Sequence, residues 1–338
     1  MKKYIYVVLL IGFWSCEDTD APSKFEFHSN NRVSSLLITS SEYSNWINND
    51  GFRDYSLRMP LFNEIYETFP DEYDFIFLVL NEPNIPSNLS YYGMLIGVSN
   101  DVEGIGKTMF DYSSDYGSTG KLKAVMQLTG LEYLKYGPSL HELAHQWANS
   151  ALPTHNVDEA GDNLTSYPYW GHWGFTGGST PGQLGGFNQS SLIDNGDSSY
   201  TVDHFGPFAN GGNGVPYNEL ELYLMGFLPI SSVTDFDMFT NITSLSVNET
   251  TFDLTATKTT ITPNYLETSL GERLPSTTDS QKDFKLLVVV LTDAPLSDEE
   301  WGKVDATAEW FSKKEDDGTS LYNFWEATNG VASITIEN

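Results

Sequence analysis

A single cysteine, Cys16, stands in the 338 residues, so no intramolecular disulfide can form. Basic residues are also scarce: 17 Lys and Arg against 46 Asp and Glu give a formal charge of −29. A field of that sign repels nucleic-acid phosphates and anionic lipid, which excludes both as main partners. It suits a surface exposed to salt and divalent cations. Internal repeats and low-complexity blocks are absent, and no apolar run reaches the roughly 20 residues needed to span a bilayer. What is plentiful is core material, at 40% hydrophobic and 14% aromatic residues, enough for one large domain or two moderate ones.

The N-terminus reads as an export signal. Lys2 and Lys3 precede an apolar run from Tyr4 to Trp14, and small Ser15 stands before Cys16. The segment resembles a bacterial lipoprotein signal, which implies that Cys16 becomes the lipidated first residue. Phe13 departs from that pattern, which usually has Leu there. Glu17 to Asp20 then lead through Pro22 into a polar tether. The expected organisation is a signal over 1–16, an acidic tether over 17–32 and a catalytic domain over 33–338. That domain divides into an N-subdomain of about 33–152 and a C-subdomain of about 153–338. The expected location is the bacterial outer membrane, reached by export and held by the lipid anchor.

Periodicity places short buried strands at Leu36–Thr39, Asp74–Leu80, Tyr92–Val98 and Leu122–Leu128. Apolar residues at Leu61, Ile65 and Phe69 have helical spacing. Gly137-Pro138 opens a second helix that runs to about Ala151, where Pro153 stops it. From Thr154 to Val215 the chain turns rich in Gly, Asn, Ser, Tyr and Trp, and a loop region that long tends to be functional. A helical patch at Asn218–Phe227 follows. Then come a strand at Leu286–Thr292, a helix at Ser297–Lys313 and a strand at Ala332–Glu337. The expected class is α+β with a cleft between two subdomains.

The helix opened by Pro138 carries His141-Glu142-Leu143-Ala144-His145. Histidines four apart project from one helical face, where both can bind one Zn²⁺. Glu142 stands beside that face as general base for a metal-activated water, the arrangement that hydrolyses peptide bonds. An intact glutamate argues against a merely structural site, which gains nothing from a base. The third ligand stays open on spacing alone. His155 lies just past the helix stop, Glu159 would complete a His₂Glu site, and His172 sits in Trp170-Gly171-His172-Trp173-Gly174. The Gly and His that a metzincin carries just after the second histidine are missing from Gln146 to Ala151.

Four segments resemble a group of secreted bacterial zincin-type metallopeptidases. They are Asn100 to Gly106, His141 to Trp147, His172-Trp173-Gly174, and Leu220 to Gly226. The similarity spans roughly Tyr92 to Ile230. It implies a zincin-like domain with an N-terminal mixed sheet, a central active-site helix and a loop-rich C-terminal subdomain. It also implies His172 as third zinc ligand, with Glu159, Glu219 and Glu221 as alternatives. Asn218-Glu219 departs from the Ser-Pro usual in that group.

Further roles are expected of other residues. Met225 would lie beneath the metal, or simply pack in the core. Tyr217 or Tyr223 would donate to the oxyanion of the tetrahedral intermediate. Ca²⁺ would bind at the acidic loop with Asp158, Glu159 and Asp162, or at the Asp194–Asp197 turn, although neither has EF-hand spacing. Leu122–Leu128 would be the edge strand that pairs with an extended substrate. The expected partner is a polypeptide or glycopeptide, met by a monomer. The rival function is a surface lipoprotein that binds glycan or glycoprotein, with a non-catalytic metal site; the Trp- and Tyr-rich middle favours it.

Overall fold

A computed structural model of the chain describes residues 24–153, 155–157, 164–166, 171–205 and 212–338. The signal, Cys16 and the acidic tether up to residue 23 lie outside the described residues. The strands that matter are, in chain order, Phe25–Phe27 (β1), Val33–Leu37 (β2), Phe75–Leu80 (β3), Gly93–Gly97 (β4) and Ala124–Leu128 (β5). After the long middle stretch come Ile193–Gly196 (β6), Ser199–Asp203 (β7), Phe236–Val247 (β8) and Thr251–Ile261 (β9). Asp283–Thr292 (β10) and Ser333–Ile336 (β11) complete them. The principal helices are Ser40–Asn48 (α1), Tyr55–Thr68 (α2), Ser139–Ala148 (α3), Glu219–Met225 (α4) and Asp298–Ser312 (α5). The class is α+β.

β10 and β3 are apolar at nearly every position because both faces of their sheet are covered. β10 runs parallel to β2 and β3, and β3 parallel to β5. Alternate side chains then feed two cores. Phe75, Phe77 and Val79 face the core that holds α3, whereas Ile76, Leu78 and Leu80 face the one that holds α1 and α2. A separate antiparallel sheet, in the order β6-β7-β9-β8, closes over Phe175, Phe187, Tyr200, Phe239 and Phe252.

Three expectations change. β5 is interior, between β3 and β4, and the edge strand is β4, antiparallel to β5. A tether running to residue 32 is too long, because β1 pairs with β2 across that boundary. The division at 152/153 does not separate two sheets either, since β10, from the chain's last third, lies between β2 and β3. No helix among the described residues is long and apolar enough to cross a membrane.

Phe284 on β10 joins the parts. Its ring lies 5.6 Å from that of Phe75 on β3, 6.0 Å from Trp147 on α3, 6.2 Å from Phe227 and 6.1 Å from Phe324. Truncation leaves a cavity that four rigid rings cannot collapse to fill. Phe284→Ala is therefore expected to cost about 3–5 kcal/mol of unfolding free energy, read from the denaturant midpoint at unchanged slope.

Candidate metal centre

α3 carries the site and is fixed along its length. Asn213 Oδ1 accepts from the Leu140 amide at 3.1 Å, while its Nδ2 donates to the Leu134 carbonyl at 2.8 Å. The buried Tyr217 hydroxyl donates to the Leu140 carbonyl at 2.8 Å. Toward the C-terminal end, Lys107 Nζ donates to the Gln146 carbonyl at 3.0 Å and Gln146 Nε2 to Ser99 O at 2.7 Å.

From this helix His141 and His145 project together, and His172 meets them from the loop. His141 Nε2 lies 3.0 Å from His172 Nε2 and 3.2 Å from His145 Nε2. These three side chains form a group that could hold a metal ion. Tautomers follow from the outer nitrogens. His141 Nδ1 is 2.7 Å from the Gln183 carbonyl and His145 Nδ1 is 2.5 Å from Asn149 Oδ1, both acceptors. Each Nδ1 therefore carries the proton, which turns the Nε2 lone pairs of His141 and His145 toward each other.

Glycine makes the approach of the loop feasible. Gly171 has φ of +75°, and a Cβ there would overlap Asn149 Oδ1 and crowd His145 Nδ1. On its other side the His172 segment is tied down by the Trp173 amide, which donates to Leu184 O at 2.6 Å.

Glu221 is the support behind that tie. It is fully buried; one oxygen accepts from the Leu184 amide at 2.7 Å and the other from the Asn218 amide at 3.0 Å. Its oxygens are thus engaged with the Gln183–Leu184 segment and the start of α4, and are not among the atoms that meet at the histidines. Burial pushes its carboxyl up to about 7. Glu219 is likewise engaged elsewhere, accepting from the Ser179 amide at 2.8 Å. Glu159 and Trp170 lie outside the described residues, as do Asp158 and Asp162, and of His155 only the backbone is described.

The tyrosine expectations change as well. Tyr217 and Tyr223 are both buried at about 3% exposure, so neither hydroxyl faces the cleft beside the histidines. α4 packs nearly all of its residues inward and carries Tyr223 with it, whereas Tyr217 lies just before that helix and spends its hydroxyl on the Leu140 carbonyl. Met225 is core packing on the same helix. The Asp194–Asp197 turn is an exposed hairpin in which Asp194 accepts from the Gly196 amide at 3.0 Å, and it does not form a metal-ligand group.

The cleft itself has a volume of about 480 Å³. The three histidines, Glu142, Asn149 and the edge strand β4 line it, together with Arg53, Tyr91 and Tyr92. The last three were not read from the sequence, because they come from turns some 50 to 90 residues before the motif and follow no periodic pattern. Glu142 Oε2 accepts from the Leu95 amide at 3.1 Å, an N–H of β4 that points away from β5.

Burial sets the electrostatics. It pushes the Glu142 carboxyl up to about 8. Burial and then the neighbouring histidine lower His141 to about 3, and burial lowers His172 to about 4. His145 falls well below the usual range from burial first, then from its two neighbours. Comparison with protein-family models, curated proteins and solved structures finds no match.

Protons compete with a metal for Nε2, and here that competition is displaced downward in pH. Three ordinary imidazoles of pKa about 6.5 would lose about thirtyfold in metal affinity between pH 7 and pH 6. With all three groups lowered by burial, the fall over that interval is expected to stay within about threefold, measured by competition titration of metal-free protein with Zn²⁺ or Co²⁺.

Proposed function

We propose that the chain is a zinc-dependent peptidase of the zincin type, with His141, His145 and His172 as ligands and Glu142 as the group that moves the proton. One observation carries this reading: three imidazole Nε2 atoms converge in a cleft that Glu142 and an antiparallel edge strand also line. The donors fit the ion. An all-imidazole set suits zinc and its neighbours better than calcium or magnesium, which take oxygen ligands. Tetrahedral Zn–N bonds of about 2.0–2.1 Å put ligand nitrogens roughly 3.3 Å apart, close to the separations of 3.0 and 3.2 Å here.

When bound, the ion supplies a Lewis acid that polarises a peptide carbonyl and makes a water acidic near neutrality. The chain's own groups do the rest. The Glu142 carboxylate accepts the proton of the attacking water and returns it to the leaving amine, so the carbonyl gains the oxygen and the C–N bond breaks. A positive charge at the histidines favours the ionised carboxylate that this role needs, against the effect of burial. The outward N–H of Leu95 orients that carboxylate. An extended polypeptide laid along the free edge of β4 would be held by backbone hydrogen bonds.

Purified protein is expected to carry about one equivalent of zinc, lost with activity on chelation and restored by Zn²⁺. Glu142→Gln should keep the metal while turnover on a peptide library falls by about 10²–10⁴. Wild-type turnover in that variant would remove Glu142 from the mechanism, and metal-free protein would end the zinc reading. The proposal includes export and lipidation at Cys16, so metabolic lipid labelling should mark the wild type and not Cys16→Ser.

A further inference from the structure

Among the described residues, and apart from the histidines, the charged side chains lining the cleft are Glu142 and Arg53. Arg53 lies in the turn between α1 and α2, far in sequence from the metal ligands. Its guanidinium stacks over the Tyr91 ring at 5.1 Å, and its Nε is 3.1 Å from Met94 Sδ on β4. The platform under it is fixed from the core outward. Trp46 Nε1 donates to Gln127 Oε1 at 2.7 Å, and Gln127 Nε2 to the Tyr91 hydroxyl at 2.7 Å. That hydroxyl in turn donates to Asp50 Oδ1 at 2.8 Å. The other oxygen of Asp50 is 3.4 Å from Arg53 Nη1, the one carboxylate within ion-pair distance of it among the described residues. The pair is long, and Arg53 is half exposed, so the guanidinium keeps donors for a ligand.

We propose that Arg53 is a specificity-determining residue that selects peptides presenting a carboxylate to the cleft. This deepens the peptidase reading and rests on it for the identity of the ligand as a peptide. Two carboxylates have the required chemistry, an Asp or Glu side chain and a free C-terminus. A planar guanidinium held on an aromatic face accepts either one through paired N–H donors. The formal charge of −29 opposes the choice only at long range. Beyond a screening length of about 8 Å that field is weak, and inside the cleft the nearest charges decide. The balance favours one carboxylate on an otherwise neutral or basic peptide over a polyacidic one.

The test separates this proposal from the peptidase reading by measuring binding without turnover. Full-length, zinc-loaded Glu142→Gln protein is titrated with matched labelled peptides: an amidated neutral peptide, the same with one internal Glu, and the neutral peptide with a free C-terminus. One of the two carboxylate peptides should bind about five- to tenfold more tightly than the neutral one. Which of them gains names the source. Arg53→Gln in the same background should abolish the difference, and Arg53→Lys should restore part of it. Zinc content and melting temperature should stay unchanged, since Arg53 is in an exposed turn. Equal binding of all three peptides, absence of measurable binding, or a preference that survives Arg53→Gln overturns the proposal. Failure of the wild type to cleave any library peptide would instead count against the peptidase reading, and leaves the carboxylate preference to be decided by the binding arms.

Discussion

Three imidazole nitrogens are brought to within 3.0 and 3.2 Å of one another, and this convergence is what the rest of the structure is arranged to hold. With the Nδ1 protons of His141 and His145 committed to Gln183 O and Asn149 Oδ1, two Nε2 lone pairs face each other, and rotating either ring away would strand its outer donor. The surrounding structure is the means by which that arrangement is enforced. Asn213 and Tyr217 hold the start of α3, Lys107 and Gln146 hold its later turns, and Glu221 holds the Gln183–Leu184 segment. That segment holds one of the three histidines directly and another through its neighbour: Gln183 O takes the His141 proton, and Leu184 O takes the Trp173 amide next to His172.

This arrangement explains why two buried carboxylates stand so near one site yet do different things. Glu221 accepts two backbone N–H groups and is enclosed completely, so it acts as structure. Glu142 accepts one, from Leu95, and lines the cleft, which suits the proton-moving role proposed for it. Both are pushed up by burial, to about 7 and about 8. Position relative to the cleft, rather than acidity, separates the two roles.

The parts of this fold legible in the sequence were those with strong local patterns. β3 is an unbroken apolar run and β10 carries another from Leu286 to Leu291, α3 has a proline start and a histidine pair at one helical turn, and α5 has a capping box at Ser297 and Glu300. Pairing order is a long-range property and left no such mark. Nothing in Ala124–Leu128 tells that β4, rather than β5, ends the sheet, or that β10 returns to lie between β2 and β3. The β8 arm of the long β8–β9 hairpin is less legible, because Asn241, Ser244 and Ser246 interrupt its strand-forming residues. At the site, the histidine pair was readable from spacing, whereas Glu221 looked like a ligand because sequence shows chemistry without direction. The same limit applies to Tyr223, which α4 packs inward, and to Tyr217, whose hydroxyl is spent on the Leu140 carbonyl before that helix begins. Arg53 and the Tyr91 platform gave no motif at all.

The charge of the chain and the neutrality of its site are complementary constraints. An acidic surface attracts every divalent cation alike, and that attraction fades within a screening length of about 8 Å. Selection must therefore come from the donors. Oxygen ligands on the acidic surface would favour the abundant hard cations, whereas the proposed site presents three imidazoles, one buried and two half-buried, with Glu142 and Glu221 engaged by backbone amides. Keeping Glu221 out of the ligand set also leaves the full positive charge of a bound ion unspent. That charge is what would drive proton loss from water and ionise Glu142, so the same backbone bonds that immobilise Glu221 preserve the electrostatic asymmetry on which the proposed hydrolysis depends.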